Sequence, residues 1–221
     1  LVIDEHAKPK VTGDDLKGIT TVLGSYQTTF NSGATSRTHN IAIASDKING
    51  TLIKSGKQFS FNTVVGERTA EAGYDDAPVF VNGKLEPGIG GGICQVSSTL
   101  FNAALLSGMK IEERTPHFEP VGYIPAGRDA TVAYGYLDFC FKNPYKQSIY
   151  VVSHMDGDTL TVYILGTAAD APKNASINVG DQKVIPHKKT ESVDPTLKAD
   201  SVTEGHDGMS LVTTRHLVWA D

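Results

Sequence analysis

The sequence predicts an α+β fold in which helices pack on an antiparallel sheet, with a small β-rich appendage at the C-terminal end. Two segments with helical spacing of apolar residues lie in the first half, and runs rich in β-branched and aromatic residues fill the second. The 221 residues, 39% of them apolar and 20% charged, are enough to bury a core. We expect a linker or N-terminal extension at 1–25, a main domain at 26–167 and the appendage at 168–221.

Charge and hydropathy narrow the class of partner. The net charge of −5, with both signs interspersed, predicts no broad basic surface, so nucleic acid and anionic membranes are not expected partners. No apolar run approaches the roughly 20 residues that span a bilayer, and no signal peptide is recognisable. Because the chain begins at Leu1 rather than at a methionine, we interpret it as an excised fragment, which leaves room for an upstream membrane anchor. Two cysteines allow one internal disulfide and leave the compartment open.

The first predicted elements are a short strand around 19–26 and an amphipathic helix. Ser36 or Thr38 could cap this helix, and Gly50 would end it. The apolar residues in between have helical spacing, at Ile41, Ala44 and Ile48. Alternation at 59–62 and a short apolar run at 79–81 then predict strands, and the pair Asn82-Gly83 predicts a hairpin turn.

A glycine-dense segment at 87–92 leads directly into a second predicted helix. Apolar residues with helical spacing follow it, and Gly108 is a natural terminator. Cys94 is therefore expected at the N-terminus of this helix.

The second half of the chain predicts an antiparallel sheet. Turns are expected at Asn143-Pro144 and at 156–158. The predicted strands are 130–136, 137–142, 148–153 and 159–165, and short strands are also expected in the tail, near 184–186 and 211–213.

Cys94 has the environment that a nucleophilic cysteine needs. A helix N-terminus favours the thiolate, and a glycine-rich backbone can present N–H groups to an oxyanion, here from Gly92, Ile93, Cys94 and Gln95. The alternative is a small buried cysteine that follows a tight turn. A phosphate-binding loop is disfavoured because the glycines are followed by neither Gly-Lys-Ser nor Gly-Lys-Thr.

His117 is the first candidate for the general base. It lies in a segment stiffened by Pro116 and Pro120, although a histidine in a loop is more often a solvated polar residue. His39, in the first helix, is a second candidate. The spacing of histidines and cysteines does not suit a zinc site, and we expect neither a metal nor a cofactor.

Other polar residues admit two interpretations each. Asp129 could orient the imidazole of His117 or cap a turn after Gly127. Arg114 and Arg128 are candidates for binding a substrate carboxylate, although surface arginines are the commoner case.

The run Gly90-Gly91-Gly92-Ile93-Cys94-Gln95-Val96-Ser97-Ser98-Thr99-Leu100, with flanking motifs over about 26–166, resembles the VanW family. The flanking motifs are at 56–62, 113–117, 127–132 and 137–138. The resemblance implies a bacterial envelope protein associated with glycopeptide resistance, and a cysteine-dependent L,D-transpeptidase activity that remodels peptidoglycan. It places Cys94 at the nucleophile position and His117 at the family's histidine.

Cys140 and the C-terminal segment lie outside this core motif. Cys140 departs from the family pattern, in which a polar residue is typical, and we assign it no catalytic role. The segment 183–219 partly resembles the first half of a G-five module, which often follows VanW domains.

Two classes of function follow. In the first, Cys94 attacks a peptidoglycan stem peptide, at the carbonyl between an L-centre and a terminal D-residue, and an acyl-enzyme forms with His117, Asp129 and the loop residues Gly91, Gly92, Ile93 and Gln95 around it. A cysteine amidase or endopeptidase would form the same intermediate and transfer it to water. In the second class, a non-catalytic module binds wall peptide. Either would act outside the cytoplasm, in the cell envelope.

Overall fold

The computed structural model describes residues 9–81, 84–189 and 205–219. In these ranges the chain has three α-helices, and all strand pairings are antiparallel, so the predicted α+β class is confirmed. The helices are α1 (Thr35–Ile48), α2 (Phe61–Val65) and α3 (Ile93–Leu106), and the strands are β1 (Thr21–Thr29), β2 (Thr51–Ile53), β3 (Gln58–Ser60), β4 (Asp76–Val81), β5 (Lys84–Ile89), β6 (Lys110–Glu113), β7 (Cys140–Lys142), β8 (Ile149–Asp156), β9 (Thr159–Gly166), β10 (Asn174–Val179), β11 (Lys183–Ile185), β12 (Gly208–Ser210) and β13 (Thr213–Val218).

A four-stranded sheet with the order β1-β9-β8-β2 forms the base of the main domain. Strand β9 alternates buried and half-buried residues, and its buried side chains Leu160, Val162 and Ile164 face the helices. Strand β1 covers more of the chain than predicted, since it runs to Thr29 and pairs with β9 along its length. It therefore crosses the expected boundary between residues 25 and 26.

Helix α3 is the central helix of the domain, and nearly all of it is buried. Its buried polar side chains make hydrogen bonds that hold the segment 128–130 against the helix. Ser97 Oγ donates to the Ala130 carbonyl oxygen at 2.6 Å, and Asn102 Nδ2 donates to the Arg128 carbonyl oxygen at 2.6 Å. These bonds fix the backbone on both sides of Asp129.

The predicted strand 130–136 is wrong, and only the end of the predicted strand 137–142 is extended, at β7. The segment 130–136 has two isolated bridges, at Thr131 and Ala133. Its backbone groups are satisfied elsewhere: the Ala130 N–H, for example, donates to Ser98 Oγ at 2.9 Å on α3. The Thr131 N–H donates to the Thr115 carbonyl oxygen and the Ala133 N–H to that of Leu137, and β-branched composition alone could not predict these scattered partners.

The C-terminal appendage packs on the C-terminal end of α3, whereas Cys94 lies at the N-terminal end of this helix. Arg215 of β13 donates from Nη1 to the carbonyl oxygens of Leu105, at 3.3 Å, and Met109, at 2.8 Å, and so satisfies acceptors at this helix terminus. The Trp219 ring lies edge-on to that of Tyr145, with centroids 6.0 Å apart. Of the two strands expected in the tail, the one near 184–186 is present as β11, whereas the one near 211–213 is wrong at 211–212, which connect β12 to β13. The predicted hairpin turn Asn82-Gly83 lies outside the described residues.

Candidate active site

The glycine loop between β5 and α3 is shaped by contacts within the protein. Gly90 and Gly92 have φ values of 86° and 107°, which side chains other than glycine rarely adopt. Gly91 packs against the backbone of β4, where a Cβ atom would lie 2.6 Å from the Pro78 carbonyl oxygen. Asn40 Nδ2 donates to the Gly91 carbonyl oxygen at 3.1 Å. Packing and backbone conformation therefore account for these glycines, and the loop sets Cys94 in the first turn of α3.

Replacing Gly91 with alanine is expected to lower the free energy of unfolding by about 1–3 kcal/mol, because the new methyl group would overlap the β4 backbone. Gly122→Ala is the matched control, since a Cβ atom at Gly122 would meet nothing within 4 Å and the φ of this residue is not positive. Urea unfolding of both variants tests this. Equal stability of the two would show that the loop can relax away from β4.

Cys94 is half-buried and carries a free thiol. Its Sγ donates weakly to the Val132 carbonyl oxygen at 3.6 Å, and its carbon atoms pack against the hydrophobic core. The second cysteine, Cys140, is also free and is buried, and burial raises the pKa of its thiol to about 11. The two thiols are therefore distinct in environment, and only Cys94 combines exposure with a helix N-terminus.

His117 and Asp129 form a tight pair beside Cys94. The His117 ring nitrogen Nδ1 lies 2.6 Å from Asp129 Oδ2, and the His117 backbone N–H donates to the same oxygen at 2.6 Å. Both side chains are shielded, with exposed fractions of 10% and 9%. Because Asp129 engages Nδ1, the other ring nitrogen is left to face Cys94, which is close enough to raise the pKa of His117.

The charges around His117 favour its protonated form. Burial by itself lowers the pKa of His117, but hydrogen bonds to Asp129 and to Cys94, together with their negative charges, raise it to about 9. Burial opposes ionisation of Asp129, but the His117 ring and backbone, with the charge of Arg114, lower the pKa of Asp129. These contacts therefore favour the imidazolium form of His117 at neutral pH.

This pKa predicts a pH dependence of stability. Because the pKa of His117 rises from 6.5 to about 9 on folding, its contribution to stability is complete below pH 6.5 and is lost as the pH rises through 9. The urea midpoint of the native protein should therefore fall between those values more steeply than that of His117→Gln. Parallel midpoint curves for the two proteins would contradict the raised pKa.

The two arginines predicted to bind a substrate carboxylate are engaged with protein groups. Arg114 donates from Nη2 to Asp129 Oδ1 at 3.1 Å and from Nε to the Asp129 carbonyl oxygen at 2.6 Å, so it helps to hold the carboxylate that orients His117. Arg128 donates from Nε to Asn102 Oδ1 at 2.7 Å, and its guanidinium lies 4.7 Å from the centre of the Tyr26 ring. These contacts do not support the substrate-binding role predicted for either residue.

Gln95 is wholly buried, and its side chain is used for structure. Its Nε2 donates to Thr28 Oγ1 and to the Thr29 carbonyl oxygen, both at 2.9 Å, and so ties the start of α3 to β1. Among the predicted backbone donors, the N–H groups of Ile93 and Gln95 already donate within the glycine turn. The N–H of Cys94 has no acceptor among the described residues and is the donor nearest the sulfur that remains for an oxyanion.

The alternative base, His39, lies elsewhere. Its Nε2 is 2.9 Å from the Gly73 carbonyl oxygen at the exposed side of α1. Among the described residues, histidine, cysteine and carboxylate side chains do not cluster in a way that could hold a metal ion.

Three residues near Cys94 were not predicted from the sequence: Arg37, Arg68 and Tyr123. Each of the three is close enough to Cys94 to interact with it electrostatically, and burial is the main cause that raises the pKa of the Tyr123 hydroxyl. The sequence around these three residues contains no motif that predicts a place in the site. Only the fold brings α1, the segment after α2 and the loop after β6 to one place.

A cleft of about 590 Å³ lies beside this cluster. It is bordered by Asn62, Tyr134, Tyr136 and Asp138, and Cys94 is not among its lining residues. Asn62 connects the two places, since its Oδ1 accepts a hydrogen bond from Arg68 Nη1 at 2.7 Å.

These features define a class: an α+β domain with a free cysteine at a helix N-terminus and a buried histidine–aspartate pair beside it. The family model described as "VanW like protein" matches residues 36–165. The chain therefore belongs to the VanW family, as the motif around Cys94 predicted. The matched region ends before the C-terminal appendage, whose likeness to a G-five module stays a prediction.

Two curated relatives support this assignment. The chain is 46% identical over 155 residues to "Uncharacterized protein YoaR" of Bacillus subtilis (strain 168), which covers 70% of this chain and 51% of the relative. It is 36% identical over 109 residues to "Vancomycin B-type resistance protein VanW" of Enterococcus faecalis (strain ATCC 700802 / V583), which covers 47% of this chain and 40% of the relative. The chain thus spans about half the length of these relatives or less. No solved structure matches it.

Within the part of the chain that the structure describes, no helix is both long and apolar enough to cross a bilayer.

Proposed function

We propose that this domain is a cysteine acyltransferase of the bacterial cell envelope that acts as an L,D-transpeptidase on peptidoglycan stem peptides. The observation that carries the proposal is the hydrogen-bonded Asp129–His117 pair, which lies close enough to Cys94 for the cysteine to raise the pKa of His117. A carboxylate that holds an imidazole, which in turn contacts a thiol at a helix N-terminus, is the arrangement that activates a cysteine nucleophile. The name of the Enterococcus relative, which refers to vancomycin resistance, agrees with a role at the cell wall.

The acylation step follows from the positions of these groups. The Cys94 thiolate attacks the carbonyl carbon between the L-centre and the terminal D-residue, and the oxyanion that forms faces the Cys94 N–H. The C–N bond then breaks, and the leaving amine takes a proton from the His117 imidazolium. The products are a thioester on Cys94, neutral His117 and the free D-amino acid.

Transfer of the acyl group restores the site. Neutral His117 removes a proton from an acceptor amine, which attacks the thioester and displaces the Cys94 thiolate. Asp129 stays ionised throughout and stabilises the imidazolium before acylation and after transfer. If water replaces the amine, the same intermediate gives hydrolysis, and the enzyme is a carboxypeptidase.

Product analysis separates these outcomes from a purely binding function. The protein is incubated with the tetrapeptide L-alanyl-γ-D-glutamyl-L-lysyl-D-alanine, whose lysine amine is also an acceptor, and the mixture is resolved by mass spectrometry. Release of D-alanine together with a cross-linked dimer supports the transpeptidase. D-alanine with the free tripeptide alone indicates hydrolysis, and intact tetrapeptide after prolonged incubation contradicts an acyltransferase.

A further inference from the structure

Two arginines that the mechanism above does not use lie on either side of the glycine loop before Cys94. A Cβ atom at Gly90 would lie 3.1 Å from Cβ of Arg68, and one at Gly92 would lie 2.9 Å from Cγ of Arg37. Both guanidinium groups are close enough to Cys94 to interact with it electrostatically. The glycine loop that leads to Cys94 is therefore flanked by two arginine side chains.

Arg68 has a hydrogen-bond donor that the described residues do not satisfy. Its Nη1 donates to Asn62 Oδ1, and its guanidinium carbon lies 5.6 Å from the centre of the Phe61 ring and 5.8 Å from that of Tyr134. Its Nη2 is buried and has no partner in the described part of the chain. Burial of an unpaired charged donor is costly, and such groups commonly pair with a ligand at functional sites.

Contacts with Gln95 and Tyr123 hold the Arg37 side chain in place. Its Nη2 donates to Gln95 Oε1 at 2.7 Å, and its guanidinium lies 5.9 Å from the centre of the Tyr123 ring. Among the described residues, neither Arg37 nor Arg68 forms a salt bridge with a carboxylate, in contrast to Arg114. Two partly buried cations without a carboxylate partner fit an anionic group of the substrate.

We propose that Arg68, with Arg37 across the glycine loop, binds the free C-terminal carboxylate of the acyl donor and restricts the site to peptide ends. The inference rests on the proposed acyltransferase function. In a donor that ends in a D-amino acid, only a few bonds separate the terminal carboxylate from the scissile carbonyl carbon. A carboxylate-binding group must then lie near the nucleophile, and Arg68 lies against the glycine loop that leads to Cys94. An amide bond in place of the carboxylate, as in an internal cross-link, would leave Arg68 unpaired.

The test compares the same tetrapeptide, L-alanyl-γ-D-glutamyl-L-lysyl-D-alanine, with its C-terminal carboxamide. The native protein is expected to process the acid at least about 10-fold better than the amide, measured as kcat/KM, which is the usual size for a charged hydrogen bond. Arg68→Gln should reduce kcat/KM for the acid by about 10–100-fold and leave that for the amide nearly unchanged. Lys54→Gln, which removes an exposed cation elsewhere, should leave both values as they were.

A loss of the same size for both peptides in Arg68→Gln, or equal rates for the two peptides in the native protein, would overturn the proposal. If Arg68→Gln does not fold, kcat/KM for the acid and the amide is compared in Arg68→Lys and in the native protein instead. If neither peptide reacts, the acyltransferase function is contradicted independently of the role of Arg68. Calorimetric binding of both peptides to Cys94→Ala then tests whether the protein binds the terminal carboxylate. Tighter binding of the acid than of the amide supports it, and equal binding contradicts it.

Discussion

Replacing Cys94 with alanine is expected to abolish acyl transfer, with a loss of at least about 10⁴-fold in the rate of D-alanine release. The variant keeps the histidine–aspartate pair but has no atom that can form the thioester. The fold should be preserved, because the thiol is half-buried and its one backbone hydrogen bond is long, at 3.6 Å. We expect the free energy of unfolding to change by no more than about 1 kcal/mol.

Cys140→Ala is the matched control for this variant. Cys140 is also a free cysteine, but it is buried in the short strand β7, and the thiolate is disfavoured there. Its replacement should cost some stability and leave the rate of acyl transfer within about twofold. Full activity of Cys94→Ala, or loss of activity only in Cys140→Ala, would contradict the assignment of the nucleophile.

Replacing His117 with alanine is expected to slow acylation by roughly 100-fold or more, the usual effect of losing a general acid or base. The loss should be largest with amide donors, since a protonated His117 supplies the proton to a poor leaving amine. It should be smaller with an activated thioester donor, whose leaving group needs no proton. Single-turnover acylation with both donors measures the difference.

His39→Gln is the control for this prediction, because the exposed His39 ring bonds to the Gly73 carbonyl oxygen and lies apart from the cysteine. It should acylate at the native rate. A second variant, Asp129→Asn, should lower the pKa of His117 toward its ordinary value, since the aspartate is the main group that raises it. If His117→Ala acylates normally and His39→Gln does not, His39 rather than His117 is the base.

The sequence predicted the fold class and the position of Cys94 because these depend on local patterns. The glycine run forces a turn, the apolar spacing after it forms a helix, and a cysteine between them must lie at the helix N-terminus. The pairing of His117 with Asp129 was one of two open interpretations. It depends on α3 side chains that hold residues 128–130, and no local pattern encodes them.

The roles of the arginines near the site were harder still to predict from local sequence patterns. Arg114 and Arg128 stood in the matching motifs and were natural candidates for a substrate carboxylate, yet both contact protein groups. Arg37 and Arg68 lie in segments of ordinary composition, and they flank the cysteine only because α1 and the chain after α2 converge on the glycine loop. Such convergence is a property of tertiary packing, which a single sequence does not display.

The central claim is that a peptide acyl group becomes attached to Cys94, and trapping that intermediate tests it most directly. The protein is mixed with the tetrapeptide, quenched in acid during turnover and measured by intact mass, and the adduct is then mapped by proteolysis. The account predicts a mass increase equal to the tetrapeptide minus D-alanine, carried by Cys94, removable by hydroxylamine and absent from Cys94→Ala. Release of D-alanine by Cys94→Ala, or turnover in which Cys94 is never modified, would contradict it.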